Sequence, residues 1–239
     1  MEGIATSDWH FGSLHKHFRN PVVRQIAELN KIYQYAIENG IKHVFVAGDI
    51  SDTPHMDHDT YIHLVLFLKK YDGLVNTYYI AGNHDFSDVK KTSMDLLHVL
   101  VENGFFDTFK LYLSPGMLTV DDCPTFFAPF PCLESPKSKA PKLNFAHVTY
   151  TGAVGDTGRT MRATEEFVQG KGDFTISGHI HQHQILKAKR ALYCGNPYQK
   201  TFGESLPKGF VHFKAKPDGD TLRFSYRFVN SKPDFQLVN

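Results

Sequence analysis

The chain is poor in cysteine. It holds Cys123, Cys132 and Cys194, with no C-x-x-C spacing. An odd count without a framework excludes a disulfide-stapled scaffold and fits free thiols in a reducing compartment. Long apolar runs are missing too: nothing approaches the ~20 residues of a membrane span. The first residues enter a strand-like run at once, without the basic region and apolar core of a secretory signal. A cytoplasmic protein with no membrane partner is the expectation. An excess of charge is also absent. A net charge of +1 argues against a histone-type nucleic-acid binder, although a local basic groove remains compatible with it. The glycine-rich segment 152–162 is not followed by Gly-Lys-Ser/Thr, so it is not a P-loop.

What is present is ordinary in bulk. With 41% hydrophobic and 21% charged residues over 239 positions, the chain reads as one globular domain, 1–239, with a large core. Histidine stands out: there are 14. Five of them fall in an ordered series of motifs. Asp8-x-His10 comes first, then Gly48-Asp49-x-x-Asp52, Gly82-Asn83-His84-Asp85, His147, and Gly178-His179-x-His181. Gly-Asn alone is common turn chemistry. The series changes the reading, because each member ends or follows an apolar, β-like run. Strand ends that deliver Asp, Asn and His to one edge of a sheet make a metal site.

Taken in order, Gly3 to Ser7 reads as a buried strand, and Asp8 and His10 then point the same way from extended backbone. The loop 12–19, with His15, Lys16, His17 and Arg19, reads as solvated or as a contact to a phosphate backbone. Asn20-Pro21 opens an amphipathic helix, stopped at Gly40. His43–Ala47 is a second buried strand, so a βαβ unit and a parallel sheet follow. Ligands of such sheets bind beyond the carboxyl ends of the strands, where Asp8 and Asp49 lie. A helix over about 57–70, a strand over 77–81 and a helix over 93–103 come next. Residues 111–141 are less regular, with a strand at Thr125–Ala128. Further strands are expected at 143–146, 174–177 and 191–194, and a hairpin over 209–229 turned by Pro217-Asp218-Gly219.

The candidate ligands are Asp8, His10, Asp49, Asn83, His147, His179 and His181. That set is too large for one tetrahedral zinc, and its oxygen–imidazole mix suits Mn²⁺, Fe or Zn²⁺ in open sites. Two ions sharing a bridging Asp is the economical arrangement. Paired ions ~3.5–4 Å apart suit in-line phosphoryl displacement by an activated water, with no Ser or Cys nucleophile. Arg159 and Arg162, on the glycine-rich loop beside His147, are candidates to meet substrate phosphates.

The ordered set D-x-H, G-D-x-x-D, G-N-H-D, H and G-H-x-H resembles the calcineurin-like metallophosphoesterase superfamily. The resemblance implies an α/β fold: a four-layer α/β/β/α sandwich of two mixed β-sheets flanked by helices, with a dinuclear site. By motif, Asp8, His10 and His181 would hold one metal, Asn83, His147 and His179 the other, and Asp49 would bridge. His84 would contact the scissile phosphate and stabilise or protonate the leaving oxygen, with Asp52 orienting it. Two divalent ions are implied, Mn²⁺ foremost, with Fe, Zn²⁺ or Mg²⁺ as alternatives.

Within the superfamily the chain is most similar to the nuclease subunit of SbcCD-type DNA repair complexes, including phage versions. The residues that carry this are Ser7-Asp8-Trp9-His10-Phe11-Gly12, Gly48-Asp49-Ile50-Ser51-Asp52-Thr53, Gly195-Asn196-Pro197, Phe202-Gly203-Glu204 and Lys208-Gly209-Phe210. That similarity implies a Mn²⁺-dependent DNA exo/endonuclease with DNA, an SbcC-type ABC ATPase and a second copy of the chain as partners. The family usually continues into a DNA-capping region and an ATPase-docking segment, whereas this chain ends at Asn239, which puts the ATPase in doubt. Two other functions stay open: a phosphodiesterase or phosphatase of small nucleotides, and a non-catalytic scaffold on the same fold. The Ser/Thr phosphatase branch is disfavoured, because it reads G-N-H-E where this chain has Asp85.

Overall fold

The first strand, β1 (Glu2–Thr6), is buried along nearly its whole length, and so is β2 (His43–Ala47). Strands covered on both faces carry continuous apolar runs and pair in parallel. β1 pairs with β2, β2 with β3 (Asn76–Ile80) and β3 with β4 (Phe109–Tyr112), all parallel. The crossovers are α1 (Pro21–Glu38), α2 (His58–Tyr71) and α3 (Ser93–Glu102). In this computed structural model the described residues are 1–13, 21–88, 90–200, 204 and 206–231. The basic loop with His15, Lys16, His17 and Arg19, the Asn20 cap and the Phe202-Gly203 pair lie outside them.

Local chemistry sets the helix ends. The Asp57 side chain accepts from Thr60 N at the start of α2. Thr92 and Asp95 form a reciprocal capping box at the start of α3. The antiparallel hairpin β11 (Gly209–Asp218) and β12 (Thr221–Asn230) completes the first sheet, in the order β12-β11-β1-β2-β3-β4. Its turn is Gly219-Asp220, not Pro217-Asp218-Gly219, because Pro217 pairs with Leu222 inside the ladder. Gly219, at φ 60°, supplies the left-handed residue that a two-residue hairpin needs.

The second sheet runs β5-β6-β7-β8-β10-β9. It contains β5 (Gly116–Val120), β6 (Cys123–Ala128), β7 (Leu143–His147), β8 (Phe174–Gly178), β9 (Gln184–Leu186) and β10 (Ala191–Tyr193). β6, β7, β8 and β10 are parallel, and the edge strands β5 and β9 are antiparallel. Strands β4, β5 and β9 were not anticipated from the sequence; each is short or half-exposed.

Alternation along the strands sorts the apolar residues into layers. Val44 and Val46 face the three helices, with Trp9, Tyr33 and Phe67 packed edge to face beside them. Phe45 and Ala47 face the second sheet. There Phe45 stacks on Phe145 at 4.3 Å and on Tyr78 at 4.8 Å between ring centres. The outer face of the second sheet is covered by loop residues Val148, Tyr150, Ala153, Phe167 and Ile180. The molecule is thus the expected sandwich of two mixed sheets, with irregular chain as its fourth layer. Among the described residues no helix is long and apolar enough to cross a membrane.

Candidate metal centre

The carboxyl ends of β1, β2 and β3 in one sheet meet those of β7 and β8 in the other. The contact is close. His147 Nδ1 donates to Ala47 O at 2.8 Å, His179 N donates to Asp8 Oδ1 at 3.0 Å, and Ser7 Oγ donates to Gly195 O. Glycine makes the approach possible. A Cβ on Gly48, which sits at φ +93°, would lie 2.1 Å from His147 Nδ1, and one on Gly82 would lie 2.1 Å from Asp49 Oδ1. Asp8, His10, Asp49 and His179 hold left-handed backbone at φ 54°, 44°, 54° and 80°. Such angles cost non-glycine residues energy and cluster at functional sites.

The side chains converge in two groups. On one side Asp8, His10 and His181 offer atoms within reach of one another, and on the other Asp49, His147 and His179 do. His10 Nε2 and His181 Nε2 lie 3.2 Å apart, and His181 Nε2 is 3.9 Å from Asp8 Oδ1. Asn83 Oδ1 lies 3.0 Å from His147 Nε2 and 2.8 Å from His179 Nδ1. Asp49 Oδ2 faces both groups, at 3.8 Å from His10 Nε2 and 3.2 Å from His147 Nε2. Asp8 and His10 are fully buried, and Asp49 and His147 are 1% exposed.

This donor set fits divalent cations. With the His147 Nδ1 proton committed to Ala47 O, its Nε2 presents a lone pair to two oxygens that are themselves acceptors. His181 Nδ1 lies 2.6 Å from Asp156 Oδ2, which holds the proton on Nδ1 and leaves Nε2 as a lone pair facing His10. Lone pairs that converge without a donor are satisfied by a cation. Without one, protons take its place. Burial opposes charge on His147, yet the Asp49 carboxylate beside it pushes its pKa up to about 9. Burial opposes the Asp49 charge, but His147 holds that carboxyl well below the usual range. Burial and the neighbouring His147 bring His179 down to about 4.

His84 stands at the side of His10, with ring centres 4.7 Å apart. Its main-chain N donates to Asp49 Oδ1 at 2.9 Å and its Nδ1 donates to the main-chain oxygen of Asp52 at 2.7 Å. With its proton on Nδ1, the ring keeps a lone pair on Nε2. The Asp52 carboxylate turns elsewhere: its Oδ1 lies 3.3 Å from His10 Nδ1. Asp52 therefore orients His84 through backbone, and its side chain is directed at His10. His84 also falls within reach of His10 and Asp49, so the geometry admits it as a ligand as well.

Several residues at the site were given no role in it from the sequence. Asp85, the last member of the G-N-H-D motif, is buried and accepts from Ser51 N, Ser51 Oγ, Gly82 N and Tyr79 OH. It ties the loop of Asn83 and His84 to the loop of Asp49 and Asp52. Gln25, on α1, donates to His10 O at 2.9 Å and accepts from Gly12 N at 3.0 Å. Lys208 Nζ donates to Asn196 Oδ1 at 2.6 Å and to His181 O at 3.3 Å. Lys200 lies in the field of Asp8, Asp52 and Asp156; burial outweighs their pull and lowers its pKa. Asp156 had only its place on a glycine-rich loop as a signal. Arg162 lines a cavity beside His147 and His179. Arg159 is exposed at the turn of the same loop, does not line that cavity, and uses its carbonyl to accept from Gly155 N.

The model of the calcineurin-like phosphoesterase family matches residues 4–183, which takes in every candidate ligand. The chain belongs to the calcineurin-like phosphoesterase family. Its chemistry is metal-dependent hydrolysis of phosphoesters. No curated protein matches the chain in sequence. Among solved structures it is similar to a protein of unknown function from Aquifex aeolicus, at 15% identity and a TM-score of 0.32, over 62% of this chain and 80% of that one.

Proposed function

We propose that the protein is a phosphodiesterase of the SbcD type that cleaves DNA, with Mn²⁺ as the preferred metal. The observation that carries the reading is the pairing of His84 with the ligand cluster. Its Nδ1–H is spent on Asp52 O, so Nε2 is the atom that can hold or deliver a proton at a leaving alkoxide. Asp8, His10 and His181 would hold one ion, Asn83, His147 and His179 a second, with Asp49 between them. Bound there, divalent ions supply Lewis-acid polarisation of the phosphoryl group and an activated water. Lys200, in the field of Asp8 and Asp52, and Arg162, on the cavity beside His147 and His179, are the cations that would meet substrate phosphates. The stretches that carry the SbcD resemblance fit this role. Asn196 and Lys208 hold the main chain of His181, and Ser7 binds Gly195 O.

The reading extends to an SbcC-type ATPase and a second copy of the chain as partners. A second substrate class, small nucleotide diesters, is favoured by one observation: the cavity beside His147 and His179 measures about 350 Å³, room for a single nucleoside. One assay separates the two. Linear double-stranded DNA and a chromogenic diester are offered with Mn²⁺, with Mg²⁺ and with chelator. Mn²⁺-dependent loss of DNA, falling at least about 100-fold in His84→Ala, is expected. Cleavage of the small diester with DNA untouched moves the substrate to the second class.

A further inference from the structure

The hairpin β11–β12 carries charge that the metal centre does not use. Three successive cross-strand pairs on one of its faces are His212–Arg227, Lys214–Ser225 and Lys216–Arg223. Of these six residues four are Lys or Arg and none is acidic. All but His212 are exposed. Building on the DNA reading proposed for the metal centre, we infer that this face binds the phosphate backbone of DNA at a distance from the bond that is cut.

Three features point to a phosphate backbone. The first is unbalanced charge. Glu2 accepts from His212 Nε2 at 2.7 Å and lies 3.2 Å from Lys214 Nζ, and Asp218, at the tip, pairs with Arg223. Among the described residues no carboxylate pairs with Lys216 or Arg227. Lys216 and Arg223 also stand directly opposite one another, an arrangement that costs stability between like charges. An anion shared by the two removes that cost. Protection of a sheet edge accounts for Arg223 and Arg227 on β12. It does not account for Lys214 and Lys216, because β11 is paired with a strand on either side. The second feature is preorganisation. Arg227 Nη2 donates to Tyr35 OH, on α1, and the guanidinium lies 5.9 Å from the centre of that ring. Tyr35 OH is in turn 3.1 Å from His212 Nδ1. Nearer the tip, Lys214, Lys216, Arg223 and Ser225 line a hollow of about 360 Å³. Its acidic members are Glu2 and Asp121, the latter 3.2 Å from His43 Nε2. Ammonium, guanidinium and hydroxyl groups are the donors that phosphate oxygens take. The third feature is place. β11 starts directly after Lys208, which donates to His181 O. Along the strand the near pair lies ~14 Å and the far pair ~27 Å from Lys208. A duplex longer than about eight base pairs that is engaged at the ligands spans that distance. Among the described residues no large apolar side chain is exposed in the three pairs. Surfaces that sit on lipid combine cations with inserted apolar groups, so DNA is the better fit.

The test is the salt dependence of binding, followed by fluorescence anisotropy of a labelled duplex of about 30 base pairs. The Mn²⁺-loaded full chain carries His84→Ala in every binding arm, so that DNA is held rather than cut. Each phosphate contact contributes about 0.9 to the slope of log affinity against log salt. Lys216→Ala combined with Arg223→Ala is expected to weaken binding and to flatten that slope by about 1.8. Lys137→Ala combined with Lys139→Ala removes the same charge from another exposed loop and is expected to leave the slope unchanged. With His84 restored, the hairpin variant is expected to melt at the unaltered temperature and to hydrolyse a chromogenic diester at the unaltered rate. An unchanged slope, equal flattening by the control pair, or loss of diester hydrolysis in the hairpin variant overturns the contact surface and leaves the DNA reading standing. Failure of every chain to bind DNA overturns both. Binding to vesicles of anionic lipid in place of DNA overturns the inference and gives the face to a membrane.

Discussion

Asp156 is an exposed loop residue whose carboxylate meets a candidate metal ligand. A carboxylate on the outer nitrogen of a ligating histidine fixes the tautomer and raises the basicity of the other nitrogen, and its loss costs about 10–100-fold in metal affinity. Asp156→Asn keeps an acceptor for His181 Nδ1–H and loses the charge. Calorimetric titration of Mn²⁺ is expected to show one of two binding events weakened by that factor and the other unchanged. Equal weakening of both, or of neither, contradicts the role. His147 sets a second expectation at this scale. Its pKa of about 9 in the metal-free protein means that it is protonated at neutral pH. Metal must displace that proton, whereas His179, at about 4, is already neutral. Metal uptake at this half of the site should release about one proton at pH 7, and apparent affinity should rise about tenfold per pH unit toward pH 9. In metal-free protein the sign is opposite. The raised value contributes stability fully present below about 6.5 and lost as pH rises through 9. Titration in two buffers of different ionisation heat measures the proton; heat independent of buffer at pH 7 would count against the assignment.

At the scale of elements, the site depends on two sheets meeting at their strand ends. Gly48→Ala sets a Cβ 2.1 Å from His147 Nδ1 and 3.0 Å from Gly82 Cα, on backbone at φ +93°. Gly40→Ala imposes similar strain at φ +67° with nothing within 4 Å. Each is expected to lose about 1–2 kcal/mol to the left-handed backbone. Only Gly48→Ala is expected also to lose metal binding, and retention of both ions in it would show that the sheets can part without harm. The strand ends were legible in the sequence because ligand residues follow apolar runs: β1, β2, β3, β7 and β8 all close on a motif. The edge strands β4, β5 and β9 were not, since half-exposed strands of three to five residues lack a distinct period. The hairpin turn was misplaced by two residues because Pro217 looks like turn chemistry, yet on β11 its missing N–H is tolerated. Asp85 stood in plain view within a motif, but its role as a tie between two loops needs the distance to Ser51. The SbcD-like tail was legible as pattern only. That Asn196 and Lys208 brace His181 follows from the fold.

For the whole molecule, the central claim is that two ions lie between two sheets and that hydrolysis needs both. The core supports this arrangement: Phe45 and Phe145 stack across the sheets just below Ala47 and His147, so the floor of the site is rigid. Ions that bind only the folded chain stabilise it by mass action, which links metal, stability and activity in one molecule. The measurement that tests the claim most directly is a titration of Mn²⁺ into chelator-stripped protein, with bound metal, melting temperature and diester hydrolysis followed together. The account predicts saturation at two ions per chain, a rising melting temperature, and hydrolysis that appears only with the second ion. Saturation at one ion, or hydrolysis that persists in chelator, would contradict it.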